Sequence, residues 1–145
     1  MIICDTGPLV SALNRGEGAR HRFAARLLGT LGTNVIVPWP VFTEVDLLLR
    51  SRGHHIAAPA FATALRDGVH QLDAPTDAEL NTVIQLAERY PDSGADLPDL
   101  CVMAMAARRK ARILTWDFRH FRSVVIGRGQ HWRLLVEEHE LPPAR

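Results

Sequence analysis

Short apolar runs alternate with longer segments of helical spacing along this chain, a pattern that predicts a parallel sheet covered by helices. Residues 1–4 read as a first strand, and a helix opens near Thr6-Gly7-Pro8. Over residues 17–31, Phe23, Leu27, Leu28 and Leu31 recur at helical intervals before Gly32 ends the run. Residues 34–37 form a second strand, closed by Pro38, and residues 40–52 a helix stopped by Gly53. A further helix covers residues 54–66, and a third strand residues 69–72. Thr76-Asp77-Ala78-Glu79 has the spacing of a capping box for a helix reaching about Tyr90. A helix over residues 97–110 leads into a strand over 112–115, and residues 124–126 and 134–136 supply two more candidate strands. With no repeat, low-complexity tract or long linker, the expectation is one α/β domain spanning residues 1–145.

Composition agrees: 145 residues that are 47% hydrophobic and 23% charged suffice for one core. The opening Met-Ile-Ile-Cys-Asp lacks the basic start of a secretory signal, and the longest later apolar run, residues 100–107, is far shorter than a membrane span. A soluble, cytoplasmic protein is expected. Cys4 and Cys101 lie in apolar segments without paired spacing, which favours buried reduced thiols over a disulfide or zinc knuckle. The net charge of +1 gives no global attraction for polyanions. Basic residues do gather in three groups: Arg20, Arg22 and Arg26; Arg108, Arg109, Lys110 and Arg112; and Arg119, His120 and Arg122. Solvated helix faces and helix C-termini account for such groups as well as contacts to a phosphate backbone do.

The acids change the picture most. Asp5, Glu44, Asp96, Asp99 and Asp117 each fall in an apolar context near a predicted strand end or helix start. Asp5 ends the first strand, where open parallel sheets put ligand sites, although capping the next helix accounts for it alone. Glu44 lies on the helical arc of Val41, Val45, Leu47, Leu48 and Leu49, opposite Thr43, Asp46 and Arg50, so it points inward without an obvious basic partner at i±3 or i±4. A buried ion pair or a place at the rim is the other reading. Asp96 is an N-cap candidate, and Asp99 shares a face with Val102, Met103 and Ala106. Asp117 follows the strand Ile113-Leu114-Thr115; turn formation accounts for it singly but not for the recurrence. Clustered carboxylates repel one another, and a fold tolerates them chiefly when a cation holds them together. A carboxylate-rich set poor in nitrogen and sulfur suits Mg²⁺ or Mn²⁺ rather than zinc, and hence chemistry on phosphate. The seven histidines show no metal-site spacing; His54-His55 suits an exposed helix start, and His21, His70, His131 and His139 suit surface or strand positions.

In order and spacing, Ile3-Cys4-Asp5-Thr6, Pro40-Val41-Phe42-Thr43-Glu44-Val45, Tyr90-Pro91-Asp92 before Asp96-Leu97-Pro98-Asp99, and Leu114-Thr115-Trp116-Asp117 before Arg119-His120-Phe121 make the chain resemble PIN-domain ribonucleases. Within that family it is most similar to VapC toxins of type II toxin–antitoxin modules. The resemblance implies a three-layer α/β/α sandwich with a mainly parallel sheet of about five strands. It also implies metal-dependent endoribonuclease activity with Mg²⁺ or Mn²⁺ as cofactor. Its acids carry over to Asp5, Glu44, Asp99 and Asp117, with Asp96 an additional metal-binding acid and Thr6 and Thr115 as hydroxyls that orient them. Arg119, His120 and Arg122 would contact RNA. The family further implies a VapB-like antitoxin partner and a homodimer. Cys4 and Trp116 stand where aliphatic residues are commoner, and Pro98 stiffens the segment between two acids.

The expected chemistry is hydrolysis by a metal-activated water, with Asp5 and Asp99 binding the ion, Asp117 or Asp96 completing its surroundings, and Glu44 orienting or deprotonating the water. Two alternatives stand beside it. A receiver-like phosphoacceptor domain also clusters acids around Mg²⁺, but wants an acidic pair after the first strand and a lysine at a later strand end. A catalytically silent PIN-fold binding module would keep the scaffold without the reaction. A haloacid-dehalogenase phosphatase needs an acid where Gly7 stands.

Overall fold

A computed structural model describes residues 1–128 and 130–144. Four parallel strands form one sheet in the order β3-β2-β1-β4: β1 (Ile2–Cys4), β2 (Val35–Pro38), β3 (Gln71–Asp73) and β4 (Arg112–Leu114). Ile3 pairs with Ile36 on one side and Ile113 on the other, and Val37 with Leu72. Every residue of β1 and β2 is buried. Because successive side chains of a strand point to opposite faces, both faces of the sheet must be covered, as expected of a parallel sheet rich in Ile and Val.

The cover comes from α1 (Thr6–Leu13), α2 (Ala19–Leu31), α3 (Trp39–Ser51), α4 (Ala57–Arg66), α5 (Asp77–Arg89) and α6 (Leu97–Arg109), with the short α7 (Phe118–Ser123) after β4. The helix α6 is almost entirely sequestered, with Asp99 through Ala106 all buried. That agrees with a segment apolar nearly all round. At its end Lys110 adopts the left-handed conformation usually left to glycine, with φ 54.

The fold departs from the sequence reading in several places. Helix α2 starts at Ala19 rather than residue 17, because Gly18 at φ 58 separates it from a 3₁₀ turn over Arg15–Glu17. Helix α4 starts at Ala57, and β3 lies two residues later than expected, leaving Val69 half-exposed ahead of it. Residues 124–126 form no strand; instead the Val124 and Val125 carbonyls accept from the Trp132 indole (2.7 Å) and the Tyr90 hydroxyl (3.2 Å). Residues 134–136 contribute a single parallel bridge, Leu134 beside Ile113 on the outer edge of β4. The sheet therefore has four strands rather than about five, with that bridge as a vestige of the fifth. His70, expected at a surface or strand position, is buried just ahead of β3, with Nδ1 2.8 Å from the Gly32 carbonyl oxygen. Both cysteines are buried and free, as expected.

The strand order sets the site. From β1 the chain steps outward through β2 and β3, then returns to β4 on the other side of β1. The carboxyl ends of β1 and β4 therefore flank a topological switch point, where the chain leaves in opposite directions and opens a crevice.

Candidate active site

Asp5 sits at that crevice. Its backbone N–H donates to the Leu114 carbonyl at 2.9 Å, joining the ends of β1 and β4. Its carboxylate caps α1, accepting from the Thr6 N–H at 2.8 Å and from the Thr115 hydroxyl at 2.7 Å. Thr115 in turn accepts from the Asp117 N–H at 2.9 Å, so one buried hydroxyl fixes an acid from each strand end. The expected orienting role of Thr115 has this geometric basis. Thr6 acts through its backbone, and its buried hydroxyl has no hydrogen-bond partner, although it lies near enough to Glu44 to favour the ionised carboxylate.

The other acids arrive on helix termini. Asp96 and Asp99 form a reciprocal capping box at the head of α6, each side chain accepting from the other's backbone N–H at 3.2 Å. Asp117 caps α7 through Oδ1. The capping roles read from sequence for Asp5 and Asp96 are thus real, Asp117 caps a helix where a turn was expected, and each cap adds roughly 1 kcal/mol to its helix. They leave Asp117 Oδ2 and Asp99 Oδ1 outside the caps. Glu44 reaches the same pocket from α3, half-buried. Its helical neighbour Leu47, expected inside, is 66% exposed, because the buried stripe of α3 runs through Val41, Val45 and Leu49.

Asp5, Glu44, Asp99 and Asp117 line one cavity of about 400 Å³, together with Thr6, Gly7, Trp116, Arg20 and Arg52. Asp96 lies outside its lining, close enough to act on the others by charge. Burial first, then the Asp5 and Asp96 charges, pushes the Asp99 carboxyl from 3.8 up to about 8. Burial also raises Asp5, against its hydrogen bonds from Thr115 and Thr6, and raises Glu44, with help from Asp96 and Asp5. Among the described residues no lysine or arginine pairs with any of these acids; the sole cationic candidate in contact is His120, whose Nδ1 lies 3.0 Å from Asp99 Oδ2 and 2.7 Å from Asp117 Oδ2. Ligand atoms of Asp99, Asp117 and His120 fall within 4.8 Å of one another. Carboxylate oxygens gathered without a paired lysine or arginine, with Asp5 and Asp99 buried and raised, have the donor chemistry of a hard divalent ion, so these residues fit one.

The basic residues after Asp117 divide between surface and site. Arg119 is exposed, and Arg122 lies over the Phe118 ring and pairs with Glu138 at 2.6 Å. His120 joins the acids, although the sequence suggested a nitrogen-poor set. Arg20 and Arg52, not singled out as site residues from sequence, reach the cavity lining; Arg52 stands two helical turns beyond Glu44, on the same side of the chain as Leu48. Gly7 has a packing reason: a Cβ there would meet Trp116 at 3.2 Å.

A family model for the PIN domain matches residues 2–126. The chain belongs to the PIN-domain family. Among solved structures it is similar to Mycobacterium tuberculosis VapC20, described as a sarcin–ricin loop cleaving toxin, at 25% identity and a TM-score of 0.67, over 77% of this chain and 85% of that one. It is also similar to VapBC2 from Rickettsia felis, solved bound to a DNA fragment from its promoter, at 16% identity and a TM-score of 0.64, covering 86% of this chain and 93% of that one. A toxin–antitoxin complex from Klebsiella pneumoniae shares the fold at 16% identity and a TM-score of 0.63, covering 83% and 90%. No curated protein sequence matches the chain significantly.

Proposed function

We propose that this protein is a Mg²⁺- or Mn²⁺-dependent endoribonuclease, the toxin of a VapBC-type toxin–antitoxin pair, in which residues 1–145 act as one PIN domain. The observation that carries the reading is the set Asp5, Glu44, Asp99 and Asp117 in one cavity, none of them in an ion pair with a lysine or arginine among the described residues, in a chain of the PIN family. Its resemblance in structure to VapC20 and to two toxin–antitoxin assemblies supports the toxin assignment.

Asp5, Asp99 and Asp117 would hold the ion, with Asp96 adding negative charge from the rim. A divalent ion bound there supplies Lewis-acid polarisation of a phosphate and a more acidic water. The chain's own residues do the rest. Thr115 holds Asp5 and the Asp117 backbone in register. Glu44, on a separate helix with its carboxyl raised by burial, accepts the proton of the attacking water. Arg20 and Arg52 on the cavity wall hold the phosphates flanking the scissile bond.

A VapB-like antitoxin partner, a homodimer and a cytoplasmic setting complete the reading. No helix among the described residues is long and apolar enough to cross a membrane. Incubating purified protein with structured RNA in Mg²⁺ or Mn²⁺ tests the activity. Cleavage lost on chelation and in Asp5→Asn supports the proposal. Cleavage untouched by Asp5→Asn overturns the site, and absence of both cleavage and cation binding in the parent protein favours a silent binding module.

A further inference from the structure

The geometry points to His120 as a direct ligand of the divalent ion, through Nδ1, making the site a mixed nitrogen–oxygen centre that prefers Mn²⁺ to Mg²⁺. This inference rests on the metal-binding reading above and deepens it.

Three observations carry it. The first is distance. In six-coordinate sites with metal–ligand bonds near 2.1 Å, neighbouring ligand atoms stand roughly 3 Å apart. His120 Nδ1 stands 3.0 Å from Asp99 Oδ2, the oxygen that also accepts the Asp96 N–H, and 2.7 Å from Asp117 Oδ2, spacings that suit three donors converging on one ion. The second is direction. An imidazolium acting as counter-ion would aim its N–H at one of those oxygens. Nδ1 is shielded from solvent and meets neither at a hydrogen-bonding angle, leaving it an orphaned nitrogen facing two carboxylates. The third is how the ring is held. Its backbone N–H is fixed by Asp117 Oδ1 at 3.2 Å, and Nε2 faces Gly94, where a Cβ would intrude to 3.2 Å. Gly94 has φ 79, so this close approach of the loop to the ring suits glycine on both counts.

Selectivity follows from donor type. Mg²⁺ is hard and keeps oxygen ligands and water, whereas an imidazole nitrogen binds later first-row ions more strongly. A ring replaced by a methyl group should therefore weaken Mn²⁺ much more than Mg²⁺.

The test uses untagged full-length protein, its His120→Ala variant, and the metals alone. Pulsed electron paramagnetic resonance of the Mn²⁺-loaded protein should show nitrogen hyperfine coupling that disappears in the variant. Calorimetric titration should show Mn²⁺ binding weakened on the order of tenfold, with Mg²⁺ changed by less than about threefold. Absence of nitrogen coupling in the parent protein, or an equal loss for both ions, overturns the assignment of His120 while leaving the carboxylate site standing. Tighter binding of both ions by the variant would identify His120 as a counter-ion that the metal displaces. Failure of the parent protein to bind either ion removes the metal-site reading, and this inference with it.

Discussion

The two ends of α6 each hold a buried carboxylate in opposite electrostatic states. Near its C-terminus, Glu79 of α5 receives Arg109 in a two-pronged contact, Nε at 2.7 Å and Nη2 at 3.0 Å, while Nη1 reaches Asp73 at 2.7 Å. The Arg109 hydrogen bonds hold the Glu79 carboxyl below its ordinary value. Glu79 also completes the capping box with Thr76, so one acid ties α5, α6 and the end of β3. Ten residues earlier on the same helix, about 15 Å along its axis, Asp99 is 10% exposed in its side chain and is driven upward in pKa by burial and by other acids. An acid that serves the fold is given a guanidinium. A set left to repel itself lowers the stability of the empty protein, and its arrangement makes sense when a cation completes it.

That contrast can be broken at either end, and the largest expected effect is catalytic. Asp99→Asn should reduce RNA cleavage in Mg²⁺ or Mn²⁺ on the order of a thousandfold, measured as initial rate, with circular dichroism unchanged. Retained activity would place the reaction elsewhere.

Next in size is stability at the paired end. Glu79→Gln leaves Arg109 partly unpaired and should cost about 2–4 kcal/mol in denaturant unfolding. The Glu79 pKa is lowered in the fold, so its contribution is full above the unfolded carboxylate range and fades as the pH falls through the folded value. A cost near zero at pH 7 would make the pair incidental.

The acid cluster has the opposite sign. Folded Asp99 keeps its proton to about pH 8, whereas the unfolded chain releases it near 3.8. Between those values the folded state binds more protons, so this group makes the metal-free protein less stable as the pH rises across the window. Asp99→Asn should accordingly raise the melting temperature of the metal-free protein at pH 8 by a few degrees, and divalent ion should stabilise the parent but not the variant. A lower melting temperature in the variant would show the repulsion to be relieved already. The smallest effect belongs to the surface: Arg122→Ala, which breaks an exposed pair with Glu138, should change stability by less than about 1 kcal/mol.

How much was legible in the sequence follows from the range of the interactions. Strands β1 and β2 are apolar on both faces, β4 adds Ile113 and Leu114 after an exposed Arg112, and α5 carries its capping box in four consecutive residues, so local pattern suffices. Helix α7 escaped notice because six residues give it only Phe118 and Phe121 as buried positions. The vestigial fifth strand rests on contacts of Ile113 with Arg133 and Leu135, twenty residues away and invisible to periodicity. The acids stood out as charges in apolar company. His120 did not, because Arg119 and Arg122 make it look like part of a basic surface; its place beside Asp99 depends on how α7 folds back on α6. Arg20 is turned toward the cavity partly by a bond from its Nε to the Pro142 carbonyl at 2.8 Å, a contact spanning nearly the whole chain.

The central claim is that the acid cluster is a cation site, and calorimetric titration of Mn²⁺ and Mg²⁺ into the metal-free protein at pH 7.5 tests it most directly. The account predicts saturable binding by the parent protein and its loss in Asp99→Asn. No binding by the parent, or equal binding by the variant, would contradict it.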